Sequence, residues 1–586
     1  MRVVATAGHV DHGKSTLVRA LTGTDPDRWA EEHARGLTID LGYASLVLPG
    51  GEQLAFVDVP GHQRFITNML AGLGPAPAVL FVVAADEGWR RQSTEHLAAV
   101  RALGLDSVLL AVTRSDLADP APALAEASAR LVDAGLPAAG AVAVSGVTGQ
   151  GLDDLRTALA RLVAGLPAPV TTGRARLWVD RAFTIRGAGT VVTGTLESGT
   201  LSVGDEVRVG ERTCSVRGVQ LLGEPAPRAQ AVARVALNLR GLPVEAVERG
   251  DAVLAHGPWR LTTSIDGQLP DAPDDLPRHA TAHVGTAAFP VRLRPLAERG
   301  VRLTWEEPLP LQPGDRIVLR APGQHRILGG VLVVAADPPA LRRGEARPRG
   351  RAVSEASGRL DPTAEVTRRG WMTAAALAAL GGDPDAVTDG VRRHGGLLVS
   401  PDQWRQWADA LGPAVDAFAV AHPLQGRMPT EAAATALGLP QPTLVAPLAA
   451  DAGLTVADGH VSRPGARADF GPHEAALTRL EARLAERPLS APERDELTAL
   501  GLGPREVAAA VRHDRLLDLG DLVVVAPTAP ARAMRTLAGL PQPFTTSQAR
   551  QALGTTRRVV IPLLEHLDAR GWTRRLDGTL REVVRR

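Results

Sequence analysis

Residues 8–16 read Gly-His-Val-Asp-His-Gly-Lys-Ser-Thr, and Lys14 is the only lysine, beside 64 arginines, in a chain of 586 residues. The run fits the spacing G-x-x-x-x-G-K-[ST]. It follows an apolar run, residues 2–7, and opens the helix-periodic stretch "STLVRALTG". Strand, glycine-rich turn and helix in that order aim backbone N–H groups and the positive end of a helix dipole at one point, where phosphate oxygens bind. In such a loop Gly8, His9, Val10, Asp11, His12, Gly13, Lys14, Ser15 and Thr16 surround the phosphates. Lys14 reaches the β- and γ-phosphates and the Ser15 hydroxyl ligates Mg²⁺. A compact ammonium fits among those oxygens, whereas a planar guanidinium is wider and has fixed donor directions. A chain that uses arginine everywhere else keeps lysine here for that reason.

The motif sets the architecture around it. Apolar runs at 2–7, 53–59, 78–85, 107–113 and 140–145 alternate with helix-periodic stretches over residues 1–170. This is a βαβ pattern, with a mostly parallel sheet covered on both faces. Asp58-Val59-Pro60-Gly61-His62 follows the second run; Asp58 is placed to hold Mg²⁺ through water and the Gly61 N–H to sense the γ-phosphate. Arg35-Gly36-Leu37-Thr38-Ile39-Asp40 lies in a segment without strong secondary-structure signal, and Thr38 completes the Mg²⁺ shell when a triphosphate is bound. Thr113-Arg114-Ser115-Asp116 ends the fourth run. Asp116 stands where a carboxylate accepts the guanine N1 and N2 hydrogens, although Thr and Arg replace the usual Asn and Lys. Arg114 reads as a loop brace that either cation can supply. Ser145-Gly146 falls where a backbone contact to guanine O6 is expected. The bound pair is therefore read as GTP and Mg²⁺.

From residue 174 short β-rich runs are broken by Gly and Asp turns, and "LSVGDEVRVG" (201–210) is echoed by "LQPGDRIVLR" (311–320). Two β-barrels are expected, at 174–260 and 261–337, followed by a Pro-, Arg- and Gly-rich linker at 338–358. Beyond it Ala-Leu-Gly recurs at 379–381, 436–438, 499–501 and 552–554, at intervals of 57, 63 and 53 residues. Each copy ends a helix pattern and precedes a second helix and an apolar β-like segment. Four winged-helix modules follow, at 359–412, 413–465, 466–528 and 529–586. The formal charge of +1 places any nucleic-acid contact in local patches. From Phe544 to Arg586 nine arginines face four carboxylates. Arg557 and Arg558 open a recognition helix, and Arg574 and Arg575 precede a wing turn, a surface suited to phosphates and splayed bases of an RNA hairpin. A single cysteine, Cys214, an opening without a signal peptide and the lack of a membrane-length apolar run lead to the expectation of a cytoplasmic protein. Lone histidines such as His283, His394 and His566 have no paired ligands at metal-site spacing, so zinc is not expected.

"GHVDHGKST", "RGLTID", "DVPGH" and the 174–210 barrel together look like a translational GTPase of the elongation factor Tu group. With the four C-terminal repeats, and with "TRRVVIPLLEHLDARGWTRR" (556–575) similar to the last winged helix of that family, the whole chain resembles the bacterial selenocysteine-specific elongation factors. The resemblance implies a monomeric GTPase that hydrolyses GTP on the ribosome, with His62 orienting the attacking water and Val10 and Leu37 flanking it as an apolar gate. It implies that the 174–260 barrel binds the aminoacyl end of selenocysteinyl-tRNA in a charged pocket of Asp180, Arg181 and Arg240. It also implies that the last module binds an mRNA hairpin. Two other readings stand beside it, a general tRNA-delivering factor with a ribosome-binding tail and a GTPase-switched DNA-binding regulator.

Overall fold

The computed structural model describes residues 1–26, 38–187, 189–273, 276–323, 326–388, 390–465 and 470–584. The chain divides into two compact units, 1–389 and 390–586.

The first unit opens with a six-stranded sheet of β1 (Arg2–Gly8), β2 (Gly42–Val47), β3 (Gln53–Asp58), β4 (Ala78–Ala84), β5 (Val108–Thr113) and β6 (Ala141–Ala143), in the order β2-β3-β1-β4-β5-β6. Five strands are parallel. The edge strand β2, which the sequence reading does not anticipate, pairs antiparallel with β3. Among the described residues five helices flank the sheet: α1 (Lys14–Thr22), α2 (Ile66–Leu73), α3 (Arg91–Leu103), α4 (Pro120–Asp133) and α5 (Leu152–Ala164). Alternation along β1 feeds two cores. Val3, Ala5 and Ala7 pack with Leu70, Val100 and Leu131, whereas Val4 packs with Leu17, Leu155 and Leu159. Burial on both faces explains why the inner strands read as continuous apolar runs. The chain crosses from β3 over β1 to β4, and the crevice at the strand ends beside that reversal is where such sheets bind ligands.

Two closed barrels follow. The first joins strands Glu206–Val209, Ala252–Ala255, Arg176–Ile185, Gly189–Leu196, Ala233–Arg240 and Arg212–Leu221, and closes by pairing the last with the first. The second is six-stranded, between Thr262 and Ala336. The repeated Gly-Asp pairs make the same turn in both. Asp205 Oδ2 accepts the Ser202 N–H at 2.7 Å and Asp315 Oδ2 that of Gln312 at 2.9 Å. Gly204 and Gly314 sit at φ of 95° and 97° and donate across the barrel to Val216 and Val333. The carboxylate ties the turn and the glycine supplies the left-handed step. Arg176 joins the barrels, with Nη1 and Nη2 at 2.8 and 2.7 Å from the Asp315 carboxylate.

Residues 338–358 are not a free linker. They contain helix α6 (Ala346–Glu355), which packs on the second barrel. Gln268 Nε2 donates to the carbonyls of Val353 and Ala356 at its end, and Arg349 Nε donates to the buried Asp266 at 2.6 Å. Five arginines and three prolines resemble a linker in composition, yet Arg349 finds a buried carboxylate. Helix α7 (Pro362–Arg369) follows, capped by Asp361.

All four Ala-Leu-Gly copies close a helix in one way. Gly381, Gly438, Gly501 and Gly554 take positive φ, and the N–H of the residue after each bonds a carbonyl five positions back. That is the Schellman cap, which demands glycine and stops the helix. In the second unit helix, helix and hairpin succeed one another at Thr430–Leu437, Val445–Asp451 and 455–462, and again at Arg494–Ala499, Pro504–Arg512 and 517–525. A third set comprises Thr546–Ala552, Arg557–Ala569 and 573–583. The boundary expected at 412/413 falls inside one continuous helix, Pro401–Ala421, where Trp404, Trp407, Leu411 and Val415 are buried. Pro413 costs that helix a hydrogen bond, and the buried face outweighs it. After the first Ala-Leu-Gly the described residues form only a three-residue 3₁₀ turn before the hairpin, Pro384–Ala386. No helix among the described residues is long and apolar enough to cross a membrane.

Helix α3 lies against the second barrel with almost no clearance. A Cβ on Gly330 would sit 1.8 Å from the Ala102 carbonyl oxygen. Gly330→Ala therefore forces the two domains apart and is expected to cost about 1–3 kcal/mol in denaturant unfolding. Gly50→Ala, with nothing within 4 Å, serves as the control and is expected to change stability little.

Candidate nucleotide-binding site

The loop between β1 and α1 curls through three left-handed residues, Asp11 at φ 63°, Gly13 at 78° and Gly8 at 139°. A Cβ on Gly8 would lie 2.1 Å from the Val82 carbonyl oxygen, so only glycine fits there. The loop is held from outside. Gly8 N–H donates to His96 Nδ1 and Val10 N–H to Gln92 Oε1, both at 3.0 Å. Thr113 Oγ1 donates to the His12 carbonyl at 2.7 Å. Arg114 Nη1 reaches Asp86 and Glu87 at 2.9 Å, and its Nη2 donates to the Asp11 carbonyl. Gln92 and His96, one helical turn apart on the buried face of α3, are functional supports that the sequence reading missed. Two polar residues at i, i+4 on an inward helix face were the available signal.

A cavity of 440 Å³ opens above the loop, lined by Val10, Asp11, Gly13, Lys14, Ser15, Thr16, Thr38, Gly61, Thr113, Arg114, Asp116, Leu117, Gly146 and Val147. Most predicted nucleotide contacts thus surround one space. Gly8, His9, His12, Asp58 and Ser145 stand behind it. Ser145 is buried, and its Oγ accepts the N–H groups of Val147 and Thr148, which shapes the turn at the rim. Lys14 Nζ donates to the carbonyls of Gly8 and His9, at 3.2 and 2.8 Å. Gly61 presses on it, since a Cβ there would come within 2.7 Å of Nζ. Leu117 presents an exposed apolar side chain beside Asp116.

Three oxygens meet at one wall. Ser15 Oγ donates to Asp58 Oδ2 at 2.6 Å and lies 2.9 Å from Thr38 Oγ1. Thr6 Oγ1 fixes the other carboxylate oxygen at 2.6 Å. A buried carboxylate with two hydroxyls is an all-oxygen donor set suited to a small hard cation such as Mg²⁺. Among the described residues no cluster of three His, Cys, Asp or Glu is placed to hold a metal.

His62 does not line the cavity. It is half-buried, its Nδ1 accepts the Arg64 N–H at 3.2 Å, and its ring leans on Phe65. Of the expected gate, Val10 lines the cavity and Leu37 lies outside the described residues.

Directly after Thr38 the chain runs into the first barrel. Asp40 accepts from Arg181 Nη2 at 3.0 Å and Arg249 Nη1 at 3.3 Å. Asp180 is buried and takes Arg234 Nη2 at 2.8 Å and the Thr193 hydroxyl at 2.7 Å. The guanidiniums of Arg181 and Arg234 lie 5.6 and 3.9 Å from the Tyr43 ring. Arg240 does not join them. It lines a separate cavity of about 500 Å³ with Arg217 and Pro243. The expected trio of Asp180, Arg181 and Arg240 is therefore divided. Asp180 meets Arg234, not Arg240, although both arginines lie on one face of the strand Ala233–Arg240: Arg234 is paired with Thr195 and Arg240 with Ser215, six residues and about 20 Å further along the strand.

In the last module Arg557 and Arg574 are exposed, Arg574 pairing across the hairpin with Glu582. Arg575 braces the wing turn through the carbonyls of Asp577 and Gly578. Arg558 is not a free surface cation. Its Nη2 donates to the carbonyls of Ala491 and Pro492 at 3.1 and 2.7 Å, tying this module to the one before it.

Residues 1–164 match the Elongation factor Tu GTP binding domain and 189–254 Elongation factor Tu domain 2. Residues 277–340 match the β-barrel domain of the selenocysteine-specific elongation factor, and 535–580 the winged helix of elongation factor SelB. Selenocysteine-specific elongation factors of Escherichia coli (strain K12) and Desulfomicrobium baculatum are 38% and 37% identical over 354 and 352 residues. Those alignments take in 59% and 57% of this chain and 57% and 55% of the relatives, so the chain spans a little over half the length of each. Elongation factor Tu 2 of Streptomyces avermitilis is 36% identical over 282 residues, 43% of this chain and 72% of that protein. The crystal structure of a bacterial selenocysteine-specific elongation factor, EF-Sec, shares the fold over 100% of both chains, with a TM-score of 0.79 at 24% identity.

Burial holds the imidazoles around the loop neutral, pushing both His12 and His96 down to about 3. On unfolding each returns to about 6.5 and takes up a proton below that pH. Stability is thus expected to fall as the pH drops below 6.5, by up to about 1.4 kcal/mol per pH unit for each group. Denaturant midpoints measured between pH 7 and 4.5 check this. In His96→Gln, whose amide oxygen can still accept the Gly8 N–H, the slope is expected to flatten.

Proposed function

Because the chain belongs to the elongation factor Tu family of translational GTPases, and carries the barrel and winged-helix signatures of its selenocysteine-specific members, we propose that it delivers selenocysteinyl-tRNA to the ribosome at UGA codons. On this reading it works in the cytoplasm as a monomer, hydrolyses GTP, and holds a selenocysteine insertion hairpin of the mRNA on its last module. The observation that carries the reading is the direct run from Thr38, at the cation-binding wall, through Asp40 to two arginines of the first barrel.

Ser15, Thr38 and Asp58 would hold Mg²⁺, which supplies charge neutralisation between the phosphates. Lys14 exchanges its carbonyl partners for β- and γ-phosphate oxygens. Asp116 takes the guanine edge, with Leu117 against the base. Thr113 and Arg114 brace the loop in place of the more usual residues. Binding thereby orients the γ-phosphate, and orientation with charge stabilisation is most of what the reaction asks of a protein. His62 turns toward the γ-phosphate only on the ribosome and there orients the water. That order keeps hydrolysis slow before delivery.

The barrel at 174–260 receives the aminoacyl end. A selenol ionises more readily than a thiol, so selenocysteine arrives as an anion. Arg181 and Arg234, both against Tyr43, favour that anion over a neutral serine side chain. Arg557 and Arg574 grip hairpin phosphates, Arg575 shapes the wing, and four winged helices make the arm.

Two measurements test this. In filter binding with GTP, selenocysteinyl-tRNA is expected to bind at least about tenfold tighter than seryl-tRNA, and equal affinity would sink the reading. Lys14→Arg is expected to abolish GTP binding or turnover. Arg114→Lys is expected to weaken nucleotide binding only several-fold, because one ammonium cannot span Asp86, Glu87 and the Asp11 carbonyl as the guanidinium fork does. Near-normal turnover by Lys14→Arg would contradict the role given to that residue.

A further inference from the structure

A second cavity, about 960 Å³ in volume, lies in the first unit where α6 and α7 cover the second barrel, far along the chain from the nucleotide loop. Its floor is apolar, with Val334, Ala335, Pro339 and Leu360; of the four arginines that line it, beside three carboxylates, two come from different helices, Arg349 of α6 and Arg368 of α7. Each is anchored by one edge. Arg349 Nε donates to Asp266, a carboxylate with no exposed surface that also takes Arg302 through two bonds of 2.6 and 2.9 Å. Arg368 Nε and Nη2 donate to Glu365, which is shared with Arg369. That leaves Arg349 Nη2 and Arg368 Nη1, both buried and both without a hydrogen-bond partner. Two like charges repel across the site, and burial together with that repulsion pulls the Arg368 pKa down.

Buried guanidinium N–H groups without acceptors are costly, and here the cost falls on two side chains whose other nitrogens are fixed in direction. An oxyanion would relieve both at once, since charge-assisted bonds from two guanidinium edges are among the strongest available. The volume exceeds what one water or a bare phosphate fills and lies in the range of small-molecule sites. We propose that this cavity binds a small organic oxyanion, a phosphate monoester with an apolar body, whose head group is taken by Arg349 Nη2 and Arg368 Nη1 and whose body lies on Val334, Ala335 and Leu360. The concave, largely apolar shape favours a small molecule over a nucleic-acid backbone, which would need an open charged track. The site is independent of the delivery role.

Phenyl phosphate is the probe. It is titrated calorimetrically into the full chain already saturated with GDP and Mg²⁺, so that the nucleotide loop is filled. One saturable event per chain is expected, with none for benzyl alcohol. Arg349→Gln with Arg368→Gln is expected to weaken it by at least about tenfold. Because that double variant removes partners of Asp266 and Glu365 and can disturb folding, Ala352→Trp is the second variant. It fills the cavity from the exposed side of α6 and is expected to abolish the event while leaving the melting temperature and GDP binding unchanged. Absence of a saturable event, or an event that survives Ala352→Trp, overturns the proposal. So does Arg368-dependent binding of a single-stranded RNA without binding of phenyl phosphate, which would assign these arginines to nucleic acid.

Discussion

The nucleotide loop owes its shape largely to bonds from neighbouring elements, beside those that Lys14 makes to the Gly8 and His9 carbonyls. Its left-handed step at Asp11 is a sparsely populated conformation for a residue with a side chain and persists only when surroundings over-determine it. Four side chains do so: His96, Gln92, Thr113 and Arg114 each bond a different backbone group of the loop. The rest of the first unit depends on this constraint. Without it Lys14, Ser15 and Asp58 would not share a wall, and Thr38 would have nothing to close upon.

From that wall the connection outward is short. Thr38 and Asp40 are two residues apart, and the second is bound to the barrel while the first is bound to Ser15. The barrel arginines therefore have a direct mechanical interest in whether Thr38 is seated. Asn68 of α2 adds a bond of 2.9 Å to the Ile39 carbonyl, which stiffens the short link. The aminoacyl and nucleotide ends of the proposed cycle are thus joined by one carboxylate, not by a long relay of packed side chains.

Local chemistry was legible in the sequence, and partner choice was not. The glycine-lysine motif and the helix-ending Ala-Leu-Gly copies carry their signal within a few residues, the five parallel strands show as apolar runs because both their faces are buried, and all appear where their spacing placed them. The paired Gly-Asp turns likewise needed only a carboxylate three residues from an N–H. Strand β2 was hidden because an antiparallel edge strand needs only one buried face and reads weakly. The helix in the supposed linker was hidden because its stability comes from Asp266 and Gln268, some eighty positions earlier. For the same reason Arg234 went unnoticed beside Asp180, and Arg558 looked like a surface cation. An abundance of arginine makes every such assignment ambiguous until the carboxylates and carbonyls it faces are known.

The unbroken helix Pro401–Ala421 sits between the hairpin at 392–399 and the module that begins at Thr430. A helix advances 1.5 Å and turns 100° with each residue. Its length is therefore an angular setting as much as a distance. Losing a single residue within it would swing one flank about a third of a turn against the other while leaving both folds intact. The exposed face of this rod can then vary in composition while its buried face, with Trp404, Trp407, Leu411 and Val415, is kept, and changes in its length are tolerated only in steps near a whole turn, three or four residues at a time.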